Sequence, residues 1–400
     1  MKSPHKRFFW VLMISFGGML MPIFVLNLIL LNDTLGNTHK VLLASQWQQQ
    51  THGVTYAPTL SDTHLFKTLR LNDRLPEINT VVFGSSTALG ITEQDFPDTL
   101  HLYNYAQTGN PLSAVIGEAD YIQQHASNIK WLIIPMDWSL GFIYQSGSPP
   151  DADLSMETTM RQTQAVQRPV PLIDRMRDAL SYPRISSLFE ILSQIRRADD
   201  RMAAFRGYFM QDGSNDYRCT DGTLGKDFDT IHRGTCTGFR FDGSATFANS
   251  ARVNNASPLI SAALSSNSQY YKNLLLTDGL PNPIFLQRIN ELNKRAMKNG
   301  GGVILFMPPL LPGMEAEFLR HPQLGAVLQK TKQTLQKWSK ENEVILFDAG
   351  QSERYDCHDD EFLDQHHATA TCYNKIFHQF WLNMPNPDKT ITPFSAGKKQ

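Results

Sequence analysis

Five short apolar runs, spaced along the chain between stretches of helical pattern, limit this sequence to very few architectures. They are residues 80–84 (TVVFG), 101–106 (HLYNYA), 130–136 (KWLIIPM), 302–307 (GVILFM) and 344–348 (VILFD). Each is too short for a core helix and rich in β-branched or aromatic side chains, as strands buried on both faces are. Residues 111–125 read as a helix opened by proline, with Ala114, Ile116, Ala119 and Ile122 on one side. Residues 283–298 bring Leu286, Ile289, Leu292 and Met297 near one face and stop at Asn299-Gly300-Gly301. Residues 315–342 supply one or two helices, and 368–382 a closing one. Strands alternating with helices predict an α/β fold: three layers, α/β/α, around a mainly parallel five-stranded sheet.

The rhythm is interrupted at the ends and in the middle. Lys2, His5, Lys6 and Arg7 precede residues 8–31, which hold no charged side chain. That run is long enough to cross a hydrocarbon core of about 30 Å as a helix. The basic flank places residues 1–7 in the cytoplasm and the rest of the chain outside the cytoplasmic membrane. A cleaved leader is the weaker reading, because Leu30-Leu31-Asn32-Asp33-Thr34 offers no small-x-small site. Residues 32–75 are polar and mixed, and read as a stalk with helix near 40–50. Residues 76–384 form the body. Within it, 144–273 reads as an insertion over the crevice of the sheet, and its 207–255 stretch shows little regular pattern. Residues 385–400 are a polar tail.

Four cysteines fall into two local pairs, Cys219 with Cys236 and Cys357 with Cys372. On the outer side of a membrane, such pairs predict disulfides. His358, His366 and His367 near the second pair raise the question of zinc, but there is no Cys-x-x-Cys and no structural zinc spacing, so no metal is expected. The formal charge of −1 and the lack of a basic stripe exclude nucleic acid as an expected partner.

Chemistry is concentrated at two distant places. Gly84-Ser85-Ser86 follows the first strand, where a glycine allows a sharp turn and open α/β sheets keep their ligand crevice. Asp364-Gln365-His366-His367 follows the last. A serine hydroxyl is a poor nucleophile until a neighbouring base takes its proton. Histidine suits that task because its ordinary pKa of about 6.5 leaves it mostly neutral at physiological pH. An acid three residues ahead can reach the other ring nitrogen and fix the tautomer. Taken alone, Asp-x-x-His reads better as a helix cap and a surface histidine. Its co-occurrence with the glycine-serine turn favours chemistry.

This order of motifs resembles the SGNH hydrolase family, also called GDSL esterases and acyltransferases. Gly84-Ser85-Ser86 is similar to the family's first block with serine in place of aspartate, which implies Ser86 as nucleophile. The second block's glycine falls on Gly109, implying that the Ser86 and Gly109 backbone N–H groups bind an oxyanion. The last block falls on Asp364 and His367. Ser85 is one residue early, Ser139 lies in a loop, and His366 breaks the spacing, so all three rank behind. The chain departs from the third block, which has asparagine where this sequence reads Pro135-Met136-Asp137-Trp138-Ser139. An ionised Asp137 would repel an oxyanion. Either Asn110 or another donor fills in, or the enzyme is slow, or the site is a relic. The anchored, outward-facing layout is similar to that of periplasmic polysaccharide O-acetyltransferases.

That resemblance implies acyl transfer or ester hydrolysis on a cell-envelope or exported glycan, with no cofactor. A membrane partner that delivers the acyl donor is also implied. The alternative is a non-catalytic glycan-binding or envelope-assembly protein on the same fold.

Overall fold

The five apolar runs pair side by side, in a computed structural model that describes residues 8–11, 15, 18, 21–22, 25, 38–56, 63–136, 182–202, 238–246, 252–268, 270, 272 and 280–383. In chain order, helix α1 (Thr38–Thr51), strand β1 (Thr55–Tyr56) and helix α2 (Thr63–Arg74) come first. Then follow β2 (Thr80–Val82), β3 (Leu102–Asn104), α3 (Leu112–His125) and β4 (Trp131–Pro135). The middle of the chain holds α4 (Tyr182–Arg197), β5 (Gly238–Phe239), β6 (Ala245–Thr246) and α5 (Ala256–Leu264). The last part holds α6 (Pro283–Lys298), β7 (Gly302–Met307), α7 (Met314–Arg320), α8 (Pro322–Glu341), β8 (Ile345–Asp348) and α9 (Ala370–Asn383).

The main sheet is wholly parallel, in the order β3-β2-β4-β7-β8. Its first strand therefore lies inside, with its sequence successors on either side. Such an order leaves a crevice outside the carboxyl ends of β2 and β4, where the connections diverge. Every residue of β2, β3, β4 and β7 is buried, which is why these runs lack polar alternation. Helices α3 and α6 pack on each other. Helix α9 sets Phe377 against Phe306 of β7, ring centres 5.2 Å apart, and against Phe347 of β8 at 5.8 Å.

The stretch expected as a stalk is instead part of the body from residue 38 onward. Val41 and Ala44 of α1 and Leu65, Phe66, Leu69 and Leu71 of α2 are all in the core. Burial of these side chains, each worth about 1.5–3 kcal/mol for the larger ones, outweighs the polar composition that suggests a linker. Strand β1 pairs with β5, and β5 with β6, in a small antiparallel sheet that joins this segment to the inserted one. The 207–255 stretch thus does contain strands among its described residues. The β5–β6 hairpin meets the end of the edge strand β3, where the Asn104 backbone N–H donates to the Asp242 carbonyl at 2.7 Å, and Ala245 donates to the Leu89 carbonyl, in the loop after β2, at 2.7 Å. An uncovered edge strand invites pairing with other chains, and this contact occupies the carboxyl end of that edge.

Among the described residues no helix is long and apolar enough to cross a membrane. Most of residues 8–31 lies outside the described residues, as do Cys219, Cys236, Asp137, Ser139 and the tail from 384. The second disulfide, Cys357–Cys372, is formed. It ties the loop after β8 to the first turn of α9 across a sequence separation of 15. Closing a loop of that size restricts the unfolded chain by about 3 kcal/mol. Replacing both cysteines with alanine is expected to lower the unfolding free energy by about that amount, read as a drop in urea midpoint at unchanged slope. An unchanged midpoint would show the bridge to be without stabilising effect.

Candidate active site

Ser86 is held by a turn that only glycine can open. Gly84 has φ +133, and a Cβ there would meet Cγ of Pro135, on the neighbouring strand β4, at 2.8 Å. The chain then passes through extended Ser85 into a single 3-10 turn, Ser86–Ala88. Three groups fix this turn from outside. The Gln107 amide donates to the Gly84 carbonyl at 2.9 Å. The Asn104 side chain donates to the carbonyls of Ala88 and Ile91, both at 2.8 Å. The Tyr373 hydroxyl of α9 donates to the Thr87 carbonyl. The Ser85 hydroxyl is buried and shares a hydrogen bond with Thr87 at 3.0 Å, so the half-buried Ser86 is the one left facing the crevice.

The loop after β8 comes to meet it. Leu363 donates to the His367 carbonyl at 2.9 Å, and Leu311, just beyond β7, donates to the Gln365 carbonyl at 2.9 Å. Within this loop Asp364 accepts the backbone N–H groups of His366 and His367 on Oδ1, at 2.9 and 3.0 Å. Its Oδ2 lies 2.6 Å from Nδ1 of His367, and Nε2 of His367 lies 2.7 Å from Oγ of Ser86. Residues 281 positions apart thus share a proton path. Burial raises the Asp364 carboxyl. The hydrogen bond from His367, the two imidazoles beside it and the His366 backbone N–H outweigh that and hold it well below the usual carboxylate range. At neutral pH it is therefore held as the anion.

Such a chain of acid, imidazole and hydroxyl can take the proton of Ser86 as the oxygen attacks a carbonyl and stabilise the imidazolium formed. The structure brings Ser86, Asp364 and His367 together as the spacing suggests. Gly109 and Asn110 lie on the loop after β3, at the same end of the sheet, with Gly109 at φ +70. The Asn110 amide donates to Glu118 Oε2 at 2.9 Å, which orients the side chain and leaves it a second N–H. Burial raises the Glu118 carboxyl, and hydrogen bonds from His64 and Asn110 oppose that rise.

His366 is not idle, as its position one residue out of step suggests. Its ring lies 4.2 Å from that of His367, and Nδ1 shares a hydrogen bond with the hydroxyl of Tyr270. Sequence reading misses Tyr270, Asn104 and Tyr373, whose parts depend on distant chain segments meeting. Donor atoms of Asp364, His366 and His367 lie within 4.8 Å of one another, close enough for a metal. Asp364 and His367 are nevertheless bonded to each other, in the arrangement proton transfer needs. No protein-family model matches this chain, and neither does any curated protein.

Proposed function

We propose that the protein is a serine-dependent acyltransferase or esterase of the SGNH type, working on an O-acylated glycan outside the cytoplasmic membrane. The observation that carries this reading is the unbroken hydrogen-bond chain from Ser86 through His367 to Asp364 at the crevice of the parallel sheet. Nε2 of His367 takes the hydroxyl proton as Oγ of Ser86 bonds to the ester carbonyl. The leaving alcohol receives that proton, and an acyl-Ser86 ester remains. A sugar hydroxyl or water then repeats the step in reverse. Backbone N–H groups of Ser86 and Gly109, with the Asn110 amide, are the proposed oxyanion donors. They stand in for the third-block asparagine that the sequence lacks.

The address rests on the apolar run at 8–31, whose described helical positions include exposed Phe8, Phe9, Trp10 and Val11. Unburied apolar side chains in a row suit a lipid surrounding. The glycan and the membrane acyl-donor partner follow from the family resemblance and that address.

A fluorophosphonate probe should label the wild-type chain and leave Ser86→Ala unlabelled. Incubation with p-nitrophenyl acetate, with and without an acceptor glycan, divides the two enzymes: acetylated glycan means transfer, free acetate alone means hydrolysis. Absence of labelling in both proteins sinks the enzymatic reading. The non-catalytic binding protein, which the replacement at Asp137 favours, would then stand.

A further inference from the structure

Tyr270 of the inserted segment reaches the catalytic loop. Tyr270 is buried, with its ring 5.9 Å from that of Phe318 on α7 and edge-on to His366 at 5.7 Å. Its hydroxyl meets Nδ1 of His366. The same Nδ1 is 3.7 Å from Oδ1 of Asp364, and the His366 ring leans on His367. The carboxylate thus has two imidazoles within reach, and catalysis needs only one of them. If His366 carried protons on both Nδ1 and Nε2, its charge would draw on Asp364 and oppose the imidazolium that His367 must form.

We propose that Tyr270 is a positioning residue: its hydroxyl, donating to Nδ1 of His366, keeps that imidazole uncharged and reserves Asp364 for His367. A hydrogen bond received by the bare ring nitrogen stabilises the neutral form and disfavours the charged one. It also fixes the tautomer, with the proton on Nε2. Among the described residues, the groups that face His366 include Asp364 and His367 on its own loop and Tyr270 from the insertion. Behind Tyr270, α7 presents the apolar Phe318, while α5 contributes the Leu259 carbonyl, 3.5 Å from the Gln365 side chain. The inserted segment therefore sets the charge state of the site. This rests on Ser86 and His367 being the reacting pair, but its first test does not.

The test is a histidine-ring NMR titration of the full chain, wild type against Tyr270→Phe, with the His366 signals assigned by their loss in His366→Phe. Removing the hydroxyl should raise the His366 titration midpoint by about half to one pH unit, the shift corresponding to one neutral hydrogen bond. An unchanged or lowered midpoint overturns the proposal, whatever the enzyme does. The kinetic counterpart is the acid limb of kcat/KM for p-nitrophenyl acetate. It should move upward by a similar amount in Tyr270→Phe, and Tyr270→Phe with His366→Phe should match His366→Phe alone. A purely structural loss would lower the rate equally at all pH values and would survive in the double variant. Should Ser86→Ala hydrolyse the ester as well as wild type, the acyl-enzyme reading fails, and the NMR result still decides the role of Tyr270.

Discussion

Replacing Ser86 or His367 with alanine is expected to lower kcat on an activated ester by about 10⁵- to 10⁶-fold, and replacing both to lower it no further. The reason is the single proton path described above: Oγ of Ser86 to Nε2 of His367 at 2.7 Å, the base in contact with that hydroxyl among the described residues. Groups that act on one proton fail together, since a serine without its base is an ordinary alcohol and a base without the serine has nothing to activate. Backbone donors remain in either variant, so a residual rate above that in water should persist. Steady-state kinetics on p-nitrophenyl acetate decide this. Losses that multiply in the double variant would mean that the two residues act separately, and the triad would have to be abandoned.

The parts of this site that the sequence discloses are those written in local spacing. A strand end followed by Gly-Ser-Ser, and an acid three residues before a histidine, are patterns a reader can find without knowing what folds against what. The same holds for the sheet. Runs buried on both faces carry their own signature, and α6 begins and ends where the pattern says because Asn282 accepts from Ile284, Pro283 opens the helix and Asn299-Gly300 stops it. Helix α2 was harder to read because Lys67 and Arg70 interrupt its apolar stripe. Both are buried, and most of their partners come from elsewhere in the chain: the Ala106 carbonyl for Lys67, and Gln48 and Gln49, beside Asp73 of the same helix, for Arg70. Burial pulls the Lys67 amine down to about 7, and the carboxylates of Asp242 and Glu118 oppose that fall. The β5–β6 hairpin did have a signal, the Asp242-Gly243 pair that favours tight turns, but strands of two residues give no periodicity around it. Tyr270 left no local trace, since nothing near it in sequence points to a histidine 96 residues on.

Asp364→Asn should cost about 10⁴-fold in kcat with little change in fold, and the cause lies in which atom the new side chain must turn where. Oδ1 of Asp364 already accepts two backbone N–H groups, from His366 and His367. Asparagine can keep those bonds only by placing its carbonyl oxygen there. Its NH₂ group then faces Nδ1 of His367, which must become an acceptor and give its proton to Nε2. An Nε2–H pointing at the Ser86 hydroxyl cannot take a proton from it. Aspartate has no such conflict, because both of its oxygens accept. Since the folded carboxyl is held below its unfolded value, its ionisation contributes stability above the ordinary carboxylate pKa of about 3.9 and loses it as pH falls through the folded value. Wild type should therefore outlast Asp364→Asn in urea at neutral pH by a margin that narrows only at strongly acid pH, a small margin given the partial exposure of the group. Ring-nitrogen chemical shifts of His367 at neutral pH read the tautomer directly. A variant that loses activity while Nδ1 stays protonated would refute this account and return Asp364 to the role of a loop staple.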